Sequence, residues 1–297
     1  MLAKRVVLKE YDIDITSLKK IKEGVINLNY RVLTGSGECL LKIYNWRKPE
    51  EVEFELGVLD YLASKNFPCP RIIKNRQGDF YSFIQDKPVV LLDYISGETL
   101  REISSETLYK TGVLTGRLHR VLRGYKQSVK KDWRLSPPPE DFKKYLKIEV
   151  GQFPKARNFI DFIVAEFEKI DLPTDLPQGI THQDIKPDNI LVDKGGGLSF
   201  IDFDNIYRGA LLYDIMTVVV WTCFKENVLC DDSLDSFLQG YELERGLTNL
   251  ERKYFNNALR FRLLREAFAW GPTRFNTRLA KKNCRSFLTS YKNLCQN

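Results

Sequence analysis

Apolar positions in the first ninety or so residues come in short runs of the kind that strands make. VVLKEYDI, SLKKIKEG and YRVLTGSGECLLKIYN are rich in Val, Ile, Leu and Tyr, and GSGE lies between two such runs as a hairpin turn would. A functional reading of GSG as a phosphate loop is weaker than this turn. One helix interrupts the strands. PEEVEFELGVLDYLASKNF begins with Pro49 at a helix-start position, sets Glu50 and Glu51 in the first turn, and repeats apolar residues at Val52, Leu56, Leu59 and Leu62. It stops before FPCP, whose prolines cannot continue a helix. YSFIQ, a turn at DKP and VVLLDYISG give another strand pair.

From about residue 97 the period changes to that of helices. ETLREI and SSETLYKTGVLTGRLHRVL read as helical, the Ser-Pro-Pro-Pro of 136–139 breaks the chain before DFKKYLKIEV, and FIDFIVAEFEKI forms another amphipathic helix ended by DLPTDLP. A short hairpin follows, and the last ninety residues are helical again. The expectation is an α+β protein with a small β-rich N-terminal lobe, residues 1–94, and a larger helical C-terminal lobe, residues 95–297, with a cleft between them that suits a ligand.

Composition agrees with a folded, soluble chain. Its 297 residues are 43% hydrophobic and 12% aromatic, enough for a well-filled core. MLAKRVVLKEYDIDI has no apolar stretch of the signal-peptide kind, and ALLYDIMTVVVWTCF is interrupted by Asp214 and too short to span a bilayer. The six cysteines, Cys39, Cys69, Cys223, Cys230, Cys284 and Cys295, form no CxxC pair and read as reduced thiols, which favours the cytoplasm. The formal charge of +7 is spread along the chain, so a solvated surface explains it better than a nucleic-acid interface, and neither nucleic acid nor membrane is expected as a partner.

The chemistry concentrates in HQDIKPDNILVDKGGGLSFIDFD, residues 182–204. Ile190, Leu191 and Val192 read as one strand, KGGG as a turn, and Leu198, Phe200 and Ile201 as the returning strand, so antiparallel pairing brings Asn189 and Asp202 to one end of the hairpin. Carboxylate and carboxamide oxygens there suit a hard cation, and magnesium held by few protein ligands arrives with nucleotide phosphates. The spacing Asp-x4-Asn, then an Asp thirteen residues after the Asn, agrees with a kinase arrangement in which Asp184 is catalytic, Asn189 and Asp202 hold Mg2+, and Asp204 is a further metal ligand. Such a site needs a lysine on the phosphates of ATP. Lys42 in CLLKIYN is embedded in an apolar strand, and Glu55 lies on the helix face of Val52, Leu59 and Leu62 as its partner, with Glu51 one turn earlier as the alternative.

These motifs resemble the phosphotransferase family of small-molecule kinases that includes aminoglycoside phosphotransferases, choline kinases and type II homoserine kinases, whose bilobal fold is similar to that of protein kinases. The family pattern H-x-D-x-x-x-x-N and the I-D-[FWL]-[DEG] strand end are matched by His182, Asp184, Asn189 and Ile201-Asp202-Phe203-Asp204, with Gln183 where many members carry Gly or Ala. GVINLNY resembles the G-x-x-N-x-N-[YF] turn of type II homoserine kinases, which implies that Gly24, Asn27 and Asn29 approach the phosphates. VVLLDYISG then corresponds to a hinge whose backbone, near Asp93 and Ile95, meets an adenine edge. The family's Y-D-[LI] motif implies that Asp214 braces the catalytic loop; His182 supports that loop, and His119 reads as a core histidine.

A protein kinase is the poorer match. The chain has no G-x-G-x-x-G, ends its metal strand in DFD, and starts LLYDIMTVVVWTCF only seven residues after Asp204, too soon for a peptide-binding activation segment. A small hydroxyl-bearing acceptor is therefore expected. From Tyr241 onward twelve Lys or Arg face four Glu, a bias that favours an anionic acceptor, with Arg260, Arg262 and Arg265 as candidates. The motif order most resembles type II homoserine kinase, and an N-acetylhexosamine-type sugar kinase or a choline or aminoglycoside kinase is the alternative. A catalytically dead nucleotide-binding scaffold is disfavoured by the retention of Lys42, Asp184, Asn189 and Asp202.

Overall fold

The structure, a computed structural model, describes residues 9–21, 27–128, 139–272 and 277–296. The chain divides into two compact units: residues 1–99 with 124–130 and 189–204, and residues 100–123 with 131–188 and 205–297.

The first unit is built on a six-stranded antiparallel sheet. Its strands are β1 (Ile15–Lys20), β2 (Leu28–Thr34), β3 (Gly37–Ile43), β4 (Ile72–Ile73), β5 (Ser82–Ile84) and β6 (Lys87–Asp93), in the order β1-β2-β3-β6-β4 with β5 also on β6. The β2–β3 hairpin closes at the GSG turn as expected, Thr34 opposite Gly37. Val32, Leu41, Ile43, Val89 and Leu91 supply the buried face of this sheet. Helix α1 (Pro49–Ser64) presents Val52, Glu55, Leu59 and Leu62 on its buried side.

Two expectations for local structure fail. Of VVLKEYDI, only Lys9 onward is described, and Lys9–Tyr11 are helical. Asp12 then sits at φ 57°, a bend that a strand continuous with β1 cannot make. ETLREI is not helical either: β7 (Glu98–Thr99) pairs with Val192 and Leu191. The helix starts only at Ser105, because Ser104 caps it, its hydroxyl accepting from the Thr107 N–H at 3.2 Å while its own N–H donates to Thr107 Oγ1 at 2.9 Å.

The second unit is mainly helical: α2 (Ser105–Leu122), α3 (Pro139–Gln152), α4 (Arg157–Phe167), α5 (Leu212–Thr222), α6 (Asp231–Glu244), α7 (Asn249–Lys253), α8 (Phe255–Ala269) and α9 (Arg278–Gln296). Helices α2 and α6 pack backbone against backbone. A Cβ on Gly112 would lie 2.1 Å from the Phe237 carbonyl oxygen, and one on Gly240 would lie 2.0 Å from that of Tyr109. That approach sets His119 on α2 beside Tyr241 on α6. The ladder of Gln178–Thr181 with Tyr207–Ala210 leads into the segment that carries His182 and Asp184. Among the described residues no helix is long and apolar enough to cross a membrane, and all six cysteines are free.

Candidate active site

In the first unit the site grows from strand alternation. Lys42 and Tyr44 are two residues apart and both point inward, 4% and 0% exposed, each reaching the same carboxylate on α1. Lys42 Nζ is 3.2 Å from Glu55 Oε1, and the Tyr44 hydroxyl donates to that oxygen at 2.9 Å. Burial pushes the Tyr44 phenol well above its usual range, and the charge of Glu55 adds to the effect, so Tyr44 stays a neutral donor. Glu51 does other work, accepting from the Lys48 N–H at the start of α1 at 3.1 Å and lying 3.5 Å from Arg47.

The hairpin of Ile190–Val192 and Leu198–Phe200 pairs antiparallel, Ile190 opposite Phe200, and the Ile201 N–H donates to the Asn189 carbonyl at 3.0 Å. Asn189 and Asp202 thus flank the same end. The turn closes through Asp193, whose Oδ1 accepts the N–H groups of Gly195 and Gly197, with Gly196 at φ 77°. Asp202 itself holds φ 62°, a left-handed conformation that a non-glycine residue adopts only when its surroundings enforce it. Lys42 Nζ lies 3.5 Å from Asp202 Oδ1 and also contacts Asp204. Asp204 is in turn held by the Asn27 carboxamide, and its carbonyl by Arg47 at 2.9 Å.

Three carboxylates, Glu55, Asp202 and Asp204, thus surround one ammonium. Glu55 and Asp204 are buried, whereas the Asp202 side chain is 48% exposed. This surplus of hard oxygen donors suits magnesium that brings its own phosphate ligands. Among the described residues no cluster of three or more His, Cys, Asp or Glu would hold a metal by itself.

The remaining positions expected at the nucleotide fall as follows. Gly24 lies outside the described residues. Asn27 is buried, its Oδ1 accepting from the Asn45 N–H at 3.3 Å while its amide holds Asp204, so it ties strand ends to the acidic cluster. Asn29 pairs with Lys42 across the β2–β3 ladder, and its side-chain oxygen is buried without a donor. Asp93 ends β6 and staples Arg71, accepting its N–H at 2.6 Å. Burial raises the Asp93 carboxyl, against the pull of that hydrogen bond. Ile95 is half-buried in the irregular segment after β6.

In the second unit the segment that carries His182 and Asp184 is held by one buried carboxylate. Asp214 on α5 accepts the His182 N–H at 2.7 Å and the Gln183 N–H at 2.5 Å, and its Oδ2 is 3.1 Å from His119 Nε2. Burial alone would raise its pKa; the His119 hydrogen bond and the nearby histidines outweigh this and hold it below the ordinary aspartate range. The chain of contacts continues outward. His119 Nδ1 meets the Tyr241 hydroxyl at 2.8 Å, and that hydroxyl accepts from Arg245 Nη1 at 2.8 Å. Above Asp214, the Asp184 N–H donates to His182 Nδ1 at 3.3 Å, and Lys186 Nζ reaches both Asp184 oxygens at 2.9 Å. Gln183 stands at φ 66°. No local pattern marks Tyr241, which meets His119 from 122 positions away. Tyr44 was open to a sequence argument through its alternation with Lys42.

The family profile of the phosphotransferase enzyme family matches residues 17–254. The homoserine kinase of Zymomonas mobilis is 27% identical over 285 residues, covering 92% of this chain and 87% of that protein. That of Brucella anthropi is 31% identical over 260 residues, covering 82% and 76%. Among solved structures, a microcompartment-associated aminopropanol kinase aligns over 99% of this chain and 96% of its own with a TM-score of 0.72 and 21% identity. An amicoumacin kinase in complex with AMP-PNP and Ca2+ aligns over 99% and 93% with a TM-score of 0.76 and 17% identity. At those identities the two structures speak for the fold, and it is the protein-kinase-like α+β fold expected from the sequence.

Proposed function

We propose, from the premise that the chain belongs to the phosphotransferase enzyme family, that it transfers the γ-phosphate of ATP to the hydroxyl of homoserine. The observation that carries the reaction class is the buried Lys42–Glu55 ion pair beside the half-exposed carboxylate of Asp202. The acceptor is supported by the homoserine kinases that align over most of their own length, and by the cationic bias of the C-terminal residues.

In this reading Lys42 meets the phosphates, its Nζ oriented by Glu55, which Tyr44 in turn orients. Asn189 and Asp202 would hold magnesium, which when bound neutralises phosphate charge. Asp184 accepts the proton of the attacking hydroxyl. Its position comes from the loop backbone that Asp214 grips and from Lys186, whose Nζ reaches both of its oxygens. Phosphoryl transfer gains most from positioning and charge stabilisation, so rigid support of these groups matters as much as their identity.

The test is magnesium-dependent ADP release from ATP with homoserine, other hydroxy amino acids, N-acetylhexosamines, choline and an aminoglycoside. Homoserine is expected to stimulate most, with the signal lost in Asp184→Asn. Stimulation by a sugar or an aminoglycoside instead would replace the acceptor while keeping the reaction class.

A further inference from the structure

Helix α8 carries two arginines that are almost completely buried, Arg262 at 1% and Arg265 at 0% exposure. Both turn toward the catalytic loop, and both meet Gln183, the residue directly before Asp184. Arg262 Nη2 donates to the Gln183 carbonyl at 3.2 Å, and Arg265 Nη1 donates to the Gln183 carboxamide oxygen at 2.7 Å. Arg262 has a carboxylate partner, Glu266, at 2.7 Å. Among the described residues Arg265 has none within ion-pair distance.

The donors left over on Arg265 are specific ones. Its Nε and Nη2 are buried without a hydrogen-bond partner, and so is the Gln183 Nε2. Nε and Nη2 form one complete side of the guanidinium, the side that holds a carboxylate through two parallel N–H···O bonds. A buried cation with its bidentate edge unpaired is strongly disfavoured unless an anion completes it. Arg265 also lies beside a second cation, Arg262, whose one ion-pair partner is Glu266. Burial first, and the charge of Arg262 second, hold Arg265 well below the usual arginine range, as expected of a cation that lacks its counterion.

We propose that the Nε–Nη2 edge of Arg265, with the Gln183 carboxamide, binds the carboxylate of the acceptor and selects a hydroxy acid over an uncharged or cationic alcohol. This rests on the reading that the acceptor is a hydroxy amino acid. The Gln183 carboxamide keeps its oxygen on Nη1 and offers its unpartnered Nε2–H to the same carboxylate, so the three unpaired donors converge on one charged group. The carboxylate is then anchored one residue before the aspartate that serves the hydroxyl at the other end of the same short molecule.

The experiment compares homoserine with 3-amino-1-propanol, which keeps the hydroxyl and the amine and lacks the carboxylate, in the wild type, Arg265→Met and Arg265→Lys. Wild type is expected to favour homoserine in kcat/KM by about 100-fold or more. Arg265→Met is expected to lower kcat/KM for homoserine about 50-fold or more, mainly through KM, and for 3-amino-1-propanol less than about five-fold; Arg265→Lys, which keeps the charge without the fork, falls between. Equal losses on both acceptors would make Arg265 a brace of the loop and overturn the proposal. A wild type with no activity on any hydroxy acid would instead overturn the homoserine reading, and the proposal with it. Should Arg265→Met fail to fold, the wild-type melting temperature decides: a rise with homoserine and none with homoserine amide supports the site, and equal rises overturn it.

Discussion

Lys42 and Asp184 divide the proposed chemistry between them, and their substitutions separate its parts. Asp184→Asn keeps shape and hydrogen bonding but cannot accept a proton, so kcat is expected to fall about 10²- to 10⁴-fold with the affinity for nucleotide little changed, as initial-rate and nucleotide-titration measurements would read. Lys42→Met strikes nucleotide and fold together. It leaves Glu55 and Asp204 buried without their shared cation, and a loss of about 3–5 kcal/mol is expected by urea denaturation alongside a raised KM for ATP. Tyr44→Phe removes one neutral donor from Glu55 and is expected to cost only about 1–2 kcal/mol. Lys42, Glu55, Asn189 and Asp202 stand out in the sequence because strand alternation, helix periodicity and hairpin pairing are local rules. The left-handed conformations of Gln183 and Asp202 did not stand out, since nothing in either residue type demands φ above zero and the surrounding loop enforces it.

The element that most needs its sequence is the α2–α6 pair. Gly112→Ala places a methyl 2.1 Å from the Phe237 carbonyl, so the helices must separate, at a cost of about 1–3 kcal/mol by chemical denaturation. The same separation would draw Tyr241 from His119 and loosen Asp214, so a fall in kcat beyond the stability loss is expected. Asp214 also sets a pH dependence. Its folded pKa lies below the ordinary value of 3.8, so its contribution is complete above that pH and is lost as pH falls through the folded value. The stability gap between wild type and Asp214→Asn is accordingly expected to be wide at neutral pH and to narrow below about pH 4 in urea titrations. Element existence was legible for α1, α2 and the hairpin of residues 190–200, where the apolar period is long or the turn chemistry is strong. It failed at ETLREI, whose six residues carry too little periodicity to oppose pairing with the 190–192 strand, and at the segment before β1, where the bend at Asp12 decided the conformation.

For the molecule as a whole, the net charge of +7 conceals a local reversal: the surroundings of Lys42 hold more carboxylate than cation, while the C-terminal third is basic. The first pattern suits a metal with a polyphosphate and the second an anionic acceptor, so neither calls for a nucleic-acid partner. Removal of divalent cations with EDTA is expected to abolish transfer, and added Mg2+ to restore it. The central claim is that this family member acts on homoserine through Asp184. The measurement that tests it most directly is the steady-state rate of ADP release with Mg-ATP and homoserine, wild type beside Asp184→Asn, with O-phosphohomoserine followed by mass spectrometry. Homoserine-dependent ADP matched by phosphohomoserine, both falling about 10²-fold or more in the variant, is the expected result. ADP release that ignores homoserine, or that persists unchanged in Asp184→Asn, would contradict the account.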